Sequence, residues 1–162
     1  MPSGLIPVAL YEADLFDLEA LLCLERACQS HPWTERHFRG ALEGERSRVL
    51  VLRRPWEPPD PTEGIAAYCV IESVAGEVHV HNLGVAPGLR RQGLGRRLLA
   101  LALGSARRAG ARVAHLEVRA GNGPAIALYR QAGFEPVGLR RNYYSSPSED
   151  ALLLVRQEAG DP

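Results

Sequence analysis

The residues best suited to chemistry form a turn rich in glycine and arginine, between a strand-like segment and an apolar helix-like segment. The turn reads Val85-Ala86-Pro87-Gly88-Leu89-Arg90-Arg91-Gln92-Gly93-Leu94-Gly95. Gly93 and Gly95 allow the backbone to approach a ligand closely, and the N–H groups that open the next helix carry the positive end of its dipole. Arg90 and Arg91 add full positive charge. The turn is therefore typical of a site that binds phosphate groups.

The kind of phosphate ligand is narrowed by residues that the turn lacks. Gly88 and Gly93 have the glycine spacing of a Walker A loop, but Leu94 and Gly95 stand where that loop needs Lys and Ser or Thr. The dinucleotide fingerprint G-x-G-x-x-G is also absent, and the turn lies past the middle of the chain. A P-loop NTPase and a Rossmann dinucleotide site are therefore disfavoured, and the pattern that remains is R-x-x-G-x-G.

The apolar pattern around this turn predicts a mixed α/β (α+β) domain with the element order β-α-α-β-β-β-α-β-α-β-β. The predicted strands are 5–10, 47–53, 65–73, 77–85, 112–119, 134–140 and 150–155, and the predicted helices are 15–24, 34–42, 94–110 and 122–133. Thr34 and Asn122 are suitable N-caps. A proline-rich loop spans 54–64, and Tyr143 and Tyr144 fall in a polar loop between the last two strands.

Composition restricts the function classes. A chain of 162 residues that is 46% hydrophobic suits one domain, assigned to 1–157 with a disordered tail at 158–162. The formal net charge of zero argues against broad binding to nucleic acid or an anionic membrane. All 19 basic side chains are Arg, so no lysine nucleophile is available. No segment approaches the length of a membrane span, and a cytoplasmic protein is expected.

The three cysteines, Cys23, Cys28 and Cys69, have no metal-ligand spacing. They are therefore interpreted as buried, reduced thiols. No metal site is predicted.

Four motifs in order resemble the GNAT superfamily of N-acyltransferases over nearly the whole chain. They are the R-x-x-G-x-G turn, Leu116 to Asn122, Ala125 to Tyr129, and Gly133-Phe134. Within that superfamily, L-E-V-R-A-x-N, Arg141 to Tyr144 and Pro32-Trp33-Thr34 resemble the RimI type, which acetylates the N-terminal alanine of a small-subunit ribosomal protein. Gly121 departs from the family pattern, which often has Ser there, and the proline-rich loop is longer than in compact relatives.

The resemblance implies the GNAT fold, a mixed central sheet of six to seven strands flanked by about four helices. It also implies that acetyl-CoA is the co-substrate. The residues implied to contact it are Leu83, Gly84 and Val85 at the pantetheine arm and thioester, Arg90, Arg91, Gln92, Gly93, Leu94, Gly95 and Arg96 around the pyrophosphate, and Asn122 at the CoA arm. The Val85 N–H is implied to polarise the thioester carbonyl.

Two side chains are implied to move protons. Glu117 would act as the general base, directly or through water, and Tyr129 would reprotonate the CoA thiolate. From the residues alone, Glu117 could equally be a surface carboxylate paired with Arg119, which shares its strand face. Tyr129 could equally be a core aromatic on a short helix. For Tyr129 both interpretations are compatible, since the ring can pack while the hydroxyl faces the sulfur.

The acceptor side carries weaker signals. His79 and His81 lie two apart on one strand face, as a backup base or an acceptor-side pair. A zinc site would need third and fourth ligands that the sequence does not place, so packing histidines are favoured over metal ligands. Trp33, Tyr143 and Tyr144 resemble family positions around the peptide groove, and loop-anchoring aromatics are the alternative.

The residues and the resemblance together lead to the hypothesis that the protein is an N-acetyltransferase acting on a protein N-terminal α-amine. The acetyl group would pass directly from acetyl-CoA to the amine in a ternary complex. Neutralising an α-amine at pH 7 costs roughly 1 kcal/mol, against about 4.6 kcal/mol for a lysine side chain. The expected partner is an acceptor protein N-terminus, in particular a ribosomal protein. A GNAT enzyme for lysine or a small amine and a non-catalytic CoA-binding module are the alternatives. The sequence leaves the oligomeric state and the role of the loop 54–64 open.

Overall fold

The computed structural model describes residues 6–55 and 58–158, which contain seven strands and four helices in the predicted order. The strands are β1 (Ala9–Glu12), β2 (Ser47–Arg53), β3 (Ile65–Val74), β4 (Glu77–Val85), β5 (Val113–Arg119), β6 (Glu135–Tyr144) and β7 (Glu149–Gln157). The helices are α1 (Leu18–Cys28), α2 (Glu35–Glu43), α3 (Leu94–Arg108) and α4 (Gly123–Gln131). The predicted mixed fold is therefore confirmed.

The strands hydrogen-bond in the order β1-β2-β3-β4-β5-β7-β6. β4 and β5 pair in parallel from Glu77↔Val113 to Val80↔Leu116, whereas β5 with β7 and β6 with β7 are antiparallel. The chain divides into two compact units, 1–71 with 82–102 and 72–81 with 103–162. β3 and β4 contribute residues to both units.

The first unit has an apolar core between α1, α2 and the inner strands. α1 buries leucines at the three- and four-residue spacing of one helix face, namely Leu18, Leu21, Leu22 and Leu24. Phe38 of α2 joins them, together with Val49 and Val51 of β2. Each fully buried side chain of this size contributes about 1.5–3 kcal/mol of burial energy. A capping box at Asp14–Asp17 starts the short 3-10 turn Leu15–Asp17 that leads into α1, and one at Thr34–His37 starts α2.

The second unit is organised by the alternation of β5, where Ala114, Leu116 and Val118 are buried and the odd-numbered positions are half-buried. β7 pairs with all seven residues of β5, from Val113↔Gln157 to Arg119↔Ala151. Asn122 caps α4, because its side-chain oxygen accepts from the N–H of Ala125. Its placement as an N-cap is thus confirmed.

Two predicted boundaries were wrong. The first strand lies at Ala9–Glu12 instead of 5–10, because pairing with β2 from Ala9↔Arg53 to Glu12↔Leu50 sets its position while all four of its residues are exposed. Residues 1–5 lie outside the described part of the chain. An apolar run is a poor guide to an exposed edge strand, whose side chains do not enter the core.

The last hairpin is also longer than predicted. Tyr143 and Tyr144 belong to β6, not to a polar loop, and Tyr144 pairs with Glu149 of β7. A register shift between Arg140 and Tyr144 accommodates Asn142, which has a positive φ of 52°. The Asn142 N–H is satisfied by the Asp150 carboxylate at 2.8 Å. This bulge lets the strand continue through polar residues.

The predicted tail begins at Glu158, which is buried and donates its N–H to the Arg112 carbonyl at 2.8 Å. Residues 159–162 lie outside the described residues.

Candidate acetyl-CoA and acceptor site

The predicted phosphate turn leads directly into α3. Arg91 and Gly93 both have positive φ, 62° and 77°. The Gly93 carbonyl accepts from Arg97 N–H at 3.0 Å, so α3 begins immediately after this turn. A Cβ at Gly93 would meet nothing within 4 Å, so glycine is required by the backbone conformation and the space above it is open. An open position directly before a fifteen-residue helix suits an anionic group, because the N–H groups at a helix start attract negative charge.

The arginines of the turn play different parts. Arg91 and Arg96 are exposed and have no assigned contact within the described residues. Arg90 is also exposed, but it donates from Nε to the Val85 carbonyl and from a terminal nitrogen to the Cys28 carbonyl, both at 3.3 Å. In this structure Arg90 links the turn to α1, and the predicted contact between its guanidinium and a phosphate stays a prediction.

The end of β4 contains Leu83, Gly84 and Val85, the predicted thioester segment. Gly84 is buried, and a Cβ there would overlap the Tyr68 ring and hydroxyl, so only glycine lets β3 and β4 approach in this way. The carbonyl of Leu83 accepts from Gln29 Nε2 at 3.1 Å, and the carbonyl of Val85 accepts from Cys28 Sγ at 3.2 Å. α1 therefore fixes the backbone of this segment.

Glu117 is half-buried on β5, on the face that also carries Arg119. The pairing of these two side chains that the sequence left open is not seen. Arg119 binds the Glu149 carboxylate at 3.2 Å, and its guanidinium carbon lies 4.2 Å from the Tyr144 ring centroid. Among residues 6–55 and 58–158, no ion pair or hydrogen bond to the Glu117 carboxylate is observed. Both carboxylate oxygens of Glu117 are therefore left without a protein donor among the described residues.

The start of α4 is shaped by the same carboxylate that binds Arg119. Glu149 also accepts from the Gly121 N–H at 2.8 Å, and a Cβ at Gly121 would lie 2.8 Å from Glu149 Oε2. A side chain at position 121 would therefore require the Glu149 carboxylate to shift. The turn that leads to Asn122 is thus held by Glu149.

Tyr129 lies on α4 with 8% of its surface exposed. Its ring packs edge-on against Phe134, with centroids 5.9 Å apart. The packing interpretation is therefore confirmed for the ring, and the role of the hydroxyl as general acid stays a prediction.

The two strand histidines form part of a larger cluster. His79 stacks on His81 at 6.0 Å and on His115 at 5.0 Å between ring centroids. His81 binds Glu72 at 2.9 Å, and Glu77 lies 3.9 Å from His79 and 3.5 Å from His115. Sequence reasoning gave no role to His115, although the parallel register His79↔His115 places it there. The rings pack on one another, in agreement with the packing alternative.

The three predicted acceptor-side aromatics all make ring contacts. Trp33 packs edge-on against Phe38 at 5.3 Å, with His37 at 5.5 Å. Tyr143 and Tyr144 contact each other at 5.1 Å. Burial raises the pKa of Tyr144, so its hydroxyl stays protonated and can serve as a donor. Contact with a peptide stays a prediction for all three.

Sequence reasoning missed one residue of the first unit. Glu25, in the last turn of α1, is only 1% exposed. Its carboxylate accepts from the hydroxyl of Tyr68, the Asn82 amide and the Trp33 N–H. The sequence does indicate that Glu25 is buried, because it lies three and four residues after leucines on the apolar face of α1.

No group of three or more His, Cys, Asp or Glu residues within residues 6–55 and 58–158 could hold a metal ion. No helix in the same residues is long and apolar enough to cross a membrane.

The model of the acetyltransferase (GNAT) family matches residues 16–134. Over 141 residues the chain is 35% identical to the ribosomal protein bS18-alanine N-acetyltransferase of Escherichia coli K12, covering 86% of this chain and 90% of that protein. It is also 48% identical over 86 residues to the N-alpha-acetyltransferase RimI of Mycobacterium tuberculosis, covering 53% of this chain and 52% of that one.

Solved structures share the fold. The ribosomal-protein-S18-alanine N-acetyltransferase from Escherichia coli superposes with a TM-score of 0.81 at 32% identity, covering 96% of this chain and 97% of that chain. Arabidopsis thaliana NAA60 in complex with a bisubstrate analogue has a TM-score of 0.83 at 20% identity, over 96% and 100% of the two chains, which shows the fold alone. The chain therefore belongs to the acetyltransferase (GNAT) family and, within it, to the RimI-type N-acetyltransferases.

Proposed function

We propose that this protein transfers the acetyl group of acetyl-CoA to the N-terminal α-amine of a protein, with the N-terminal alanine of a small-subunit ribosomal protein as its acceptor. The structural observation that carries the proposal is that the Glu117 carboxylate has no ion pair among the described residues. Its neighbour Arg119 is engaged by Glu149, which leaves Glu117 without a cationic partner among the described residues. The similarity to alanine N-acetyltransferases supports the choice of acceptor.

Acetyl-CoA supplies an acetyl group activated as a thioester. In the proposed mechanism, the Gly93 turn and the start of α3 hold its pyrophosphate with Arg91 and Arg96, and the backbone of Leu83 to Val85 holds the arm. These residues fit an anionic, extended ligand, because the turn is open above Gly93 and the segment is fixed from α1.

The chemistry requires a neutral amine and a protonated leaving group. Glu117 takes a proton from the acceptor ammonium, directly or through one water, and the amine nitrogen bonds to the acetyl carbon. The carbon–sulfur bond breaks, and the Tyr129 hydroxyl gives its proton to the CoA thiolate. The attacking nitrogen then loses a second proton, which passes through water to the Tyr129 oxygen, while the proton first taken by Glu117 is released to solvent. The Val85 N–H stabilises charge on the carbonyl oxygen. No covalent intermediate with the protein is needed.

The test is incubation with acetyl-CoA and a peptide that begins with alanine, read by peptide mass and by thiol release. The matched peptide is N-terminally blocked and contains one lysine. Acetylation of the free peptide alone supports the proposal. Acetylation of the blocked peptide assigns the lysine activity instead, and CoA binding without thiol release assigns a non-catalytic module.

The roles of the two side chains are tested by Glu117→Gln and Tyr129→Phe, with exposed Glu135→Gln as the control. General acid–base catalysis contributes about 10²–10⁴-fold, so each of the first two variants is expected to lose at least a hundredfold in kcat at pH 7. The loss for Glu117→Gln should shrink toward pH 9, where an α-amine is already neutral. Full turnover in both variants refutes the role assignments.

The same proposal treats residues 1–157 as one acetyltransferase domain. It places the protein in the cytoplasm, where a ribosomal acceptor would be available, and includes no nucleic acid or membrane contact.

A further inference from the structure

A buried carboxylate in the first unit has no part in the mechanism above. Glu25 lies in the last turn of α1 and is 1% exposed. Burying a carboxylate is costly unless hydrogen bonds replace its hydration. Here the donors are the Tyr68 hydroxyl, the Asn82 amide at 3.0 and 3.1 Å, and the Trp33 N–H at 2.9 Å, all of them neutral groups.

Two of the three donors to Glu25, Trp33 and Asn82, lie in or directly beside segments with a predicted role in substrate binding. Trp33 lies in the connection between α1 and α2, where the acceptor groove is predicted. Asn82 directly precedes the thioester segment of β4, and Gln29 links the same places by donating to the Asn82 side chain at 3.4 Å and to the Leu83 carbonyl at 3.1 Å. The Glu25 carboxylate thus binds the Trp33 backbone, in what we call the acceptor segment, and the Asn82 side chain, directly before the thioester segment Leu83 to Val85.

The third donor, Tyr68, is fixed in place and in protonation. Its ring is fully buried against Phe38 and fills the space above Gly84. Burial raises the pKa of Tyr68, and the negative charge of Glu25 raises it further. The hydroxyl therefore donates to Glu25 at every working pH.

Stability alone does not account for this arrangement. Apolar residues of similar volume commonly stabilise a core as well as buried charged groups do, whereas buried polar networks fix one geometry. The Val85 carbonyl is held independently by Cys28 and Arg90. Glu25 is therefore needed most at the acceptor segment, where its contact is to the Trp33 backbone.

We propose that Glu25 is a positioning residue for the acceptor, which fixes the Trp33 segment relative to Asn82 and the end of β4. The inference rests on the proposed N-α-acetyltransferase function. Glu25 itself touches no substrate, since its oxygens are occupied by protein donors. Its loss should weaken use of the acceptor peptide while leaving the binding of acetyl-CoA nearly unchanged.

The test compares Glu25→Gln with Glu158→Gln, which removes the charge from another buried carboxylate, paired with Arg156 at 3.0 Å. Both are measured for thermal stability, for Kd of acetyl-CoA, and for kcat/KM with the alanine peptide. In a Trp56→Phe background Trp33 is the only tryptophan, so its emission reports the position of the segment. Tyr68→Phe, which keeps the ring, is the second variant.

The expected result for Glu25→Gln is a loss of at least tenfold in kcat/KM for the peptide, less than twofold change in the Kd of acetyl-CoA, and a red shift of Trp33 emission. Glu158→Gln should lose stability without these changes. Tyr68→Phe should move the peptide KM in the same direction by a smaller factor, and it decides the matter if Glu25→Gln does not fold.

Peptide kinetics that stay at the wild-type value in Glu25→Gln, or in Tyr68→Phe where only that variant folds, overturn the inference. An equal loss in Glu158→Gln also overturns it, because the effect would then follow stability. A wild-type protein that acetylates no α-amine refutes the proposed function instead, so the two failures are distinguishable.

Discussion

Gly84→Ala should destabilise the protein through a single methyl group. Gly84 is buried in β4, and its added Cβ would overlap the ring and hydroxyl of Tyr68, a fully buried side chain whose ring is confined by Phe38. Adding a methyl group to a well-packed core costs about 1–3 kcal/mol. For a chain of this size each kcal/mol corresponds to a change of about 2–4 °C in Tm, so a fall of roughly 2–12 °C is expected.

Gly40→Ala is the matched control with the opposite expected sign. Gly40 is exposed in α2, and its added Cβ would meet nothing within 4 Å. Removing a glycine from a helix interior stabilises it by about 0.5–1 kcal/mol, which corresponds to a rise of roughly 1–4 °C. The same chemical change is thus expected to move Tm in opposite directions at the two sites.

The assay is thermal unfolding followed by circular dichroism, with Gly84→Ala repeated in a Tyr68→Leu background. A leucine side chain ends before the ring atoms that the new methyl group would overlap. The penalty of Gly84→Ala should therefore largely disappear in that background, which a double-mutant cycle measures as a coupling energy. A Gly84→Ala protein that unfolds within about 1 °C of the wild type refutes the reasoning, since even the low end of the expected range is larger. A penalty that is unchanged in the Tyr68→Leu background refutes it as well.

Two further predictions concern charge and burial. Glu149→Gln should free Arg119 to pair with Glu117 on the same face of β5, and kcat with the alanine peptide should fall because that pair would occupy the proposed base. An unchanged kcat in this variant would contradict the prediction. Burial raises the pKa of Cys69 to about 12, so its thiolate fraction at pH 8 is on the order of 10⁻⁴. Native labelling followed by digestion and mass spectrometry should leave Cys69 unmodified, whereas rapid labelling would show that β3 opens.

The fold could be predicted from the sequence wherever local rules and tertiary packing agree. The leucine spacing of α1, the caps at Thr34 and Asn122 and the alternation of β5 each indicate the observed element directly. β6 is different, because Arg141 to Tyr144 are polar or exposed and continue the strand only through their pairing with β7. The Asp150 carboxylate that satisfies Asn142 is eight residues away and joins it only once the hairpin has formed.

The site could be predicted only in part, for a related reason. Motifs mark residues that would touch acetyl-CoA, such as Gly93, or take part in proton transfer, such as Glu117. The leucines before Glu25 indicate that it lies on the buried face of α1, but its partners Tyr68 and Asn82 are 43 and 57 residues away in the chain and cannot be predicted from the helix. Spacing along one element cannot indicate contacts that the sheet creates.

Glu25 and Glu149 act in the same physical way although each lies in its own unit. Glu149 pairs with Arg119, which leaves the proposed base Glu117 unpaired among the described residues, and it also fixes the turn before Asn122 through the Gly121 N–H. Glu25 accepts hydrogen bonds from the Trp33 N–H in the acceptor segment and from the Asn82 amide beside the thioester segment. A proposed base such as Glu117 needs free lone pairs to take a proton. The polar donors of the neighbouring segments are therefore bound by other carboxylates, here Glu149 and Glu25. The acceptor preference of such an enzyme is therefore to be sought in these supporting residues, since the motif that binds the donor says nothing about the amine.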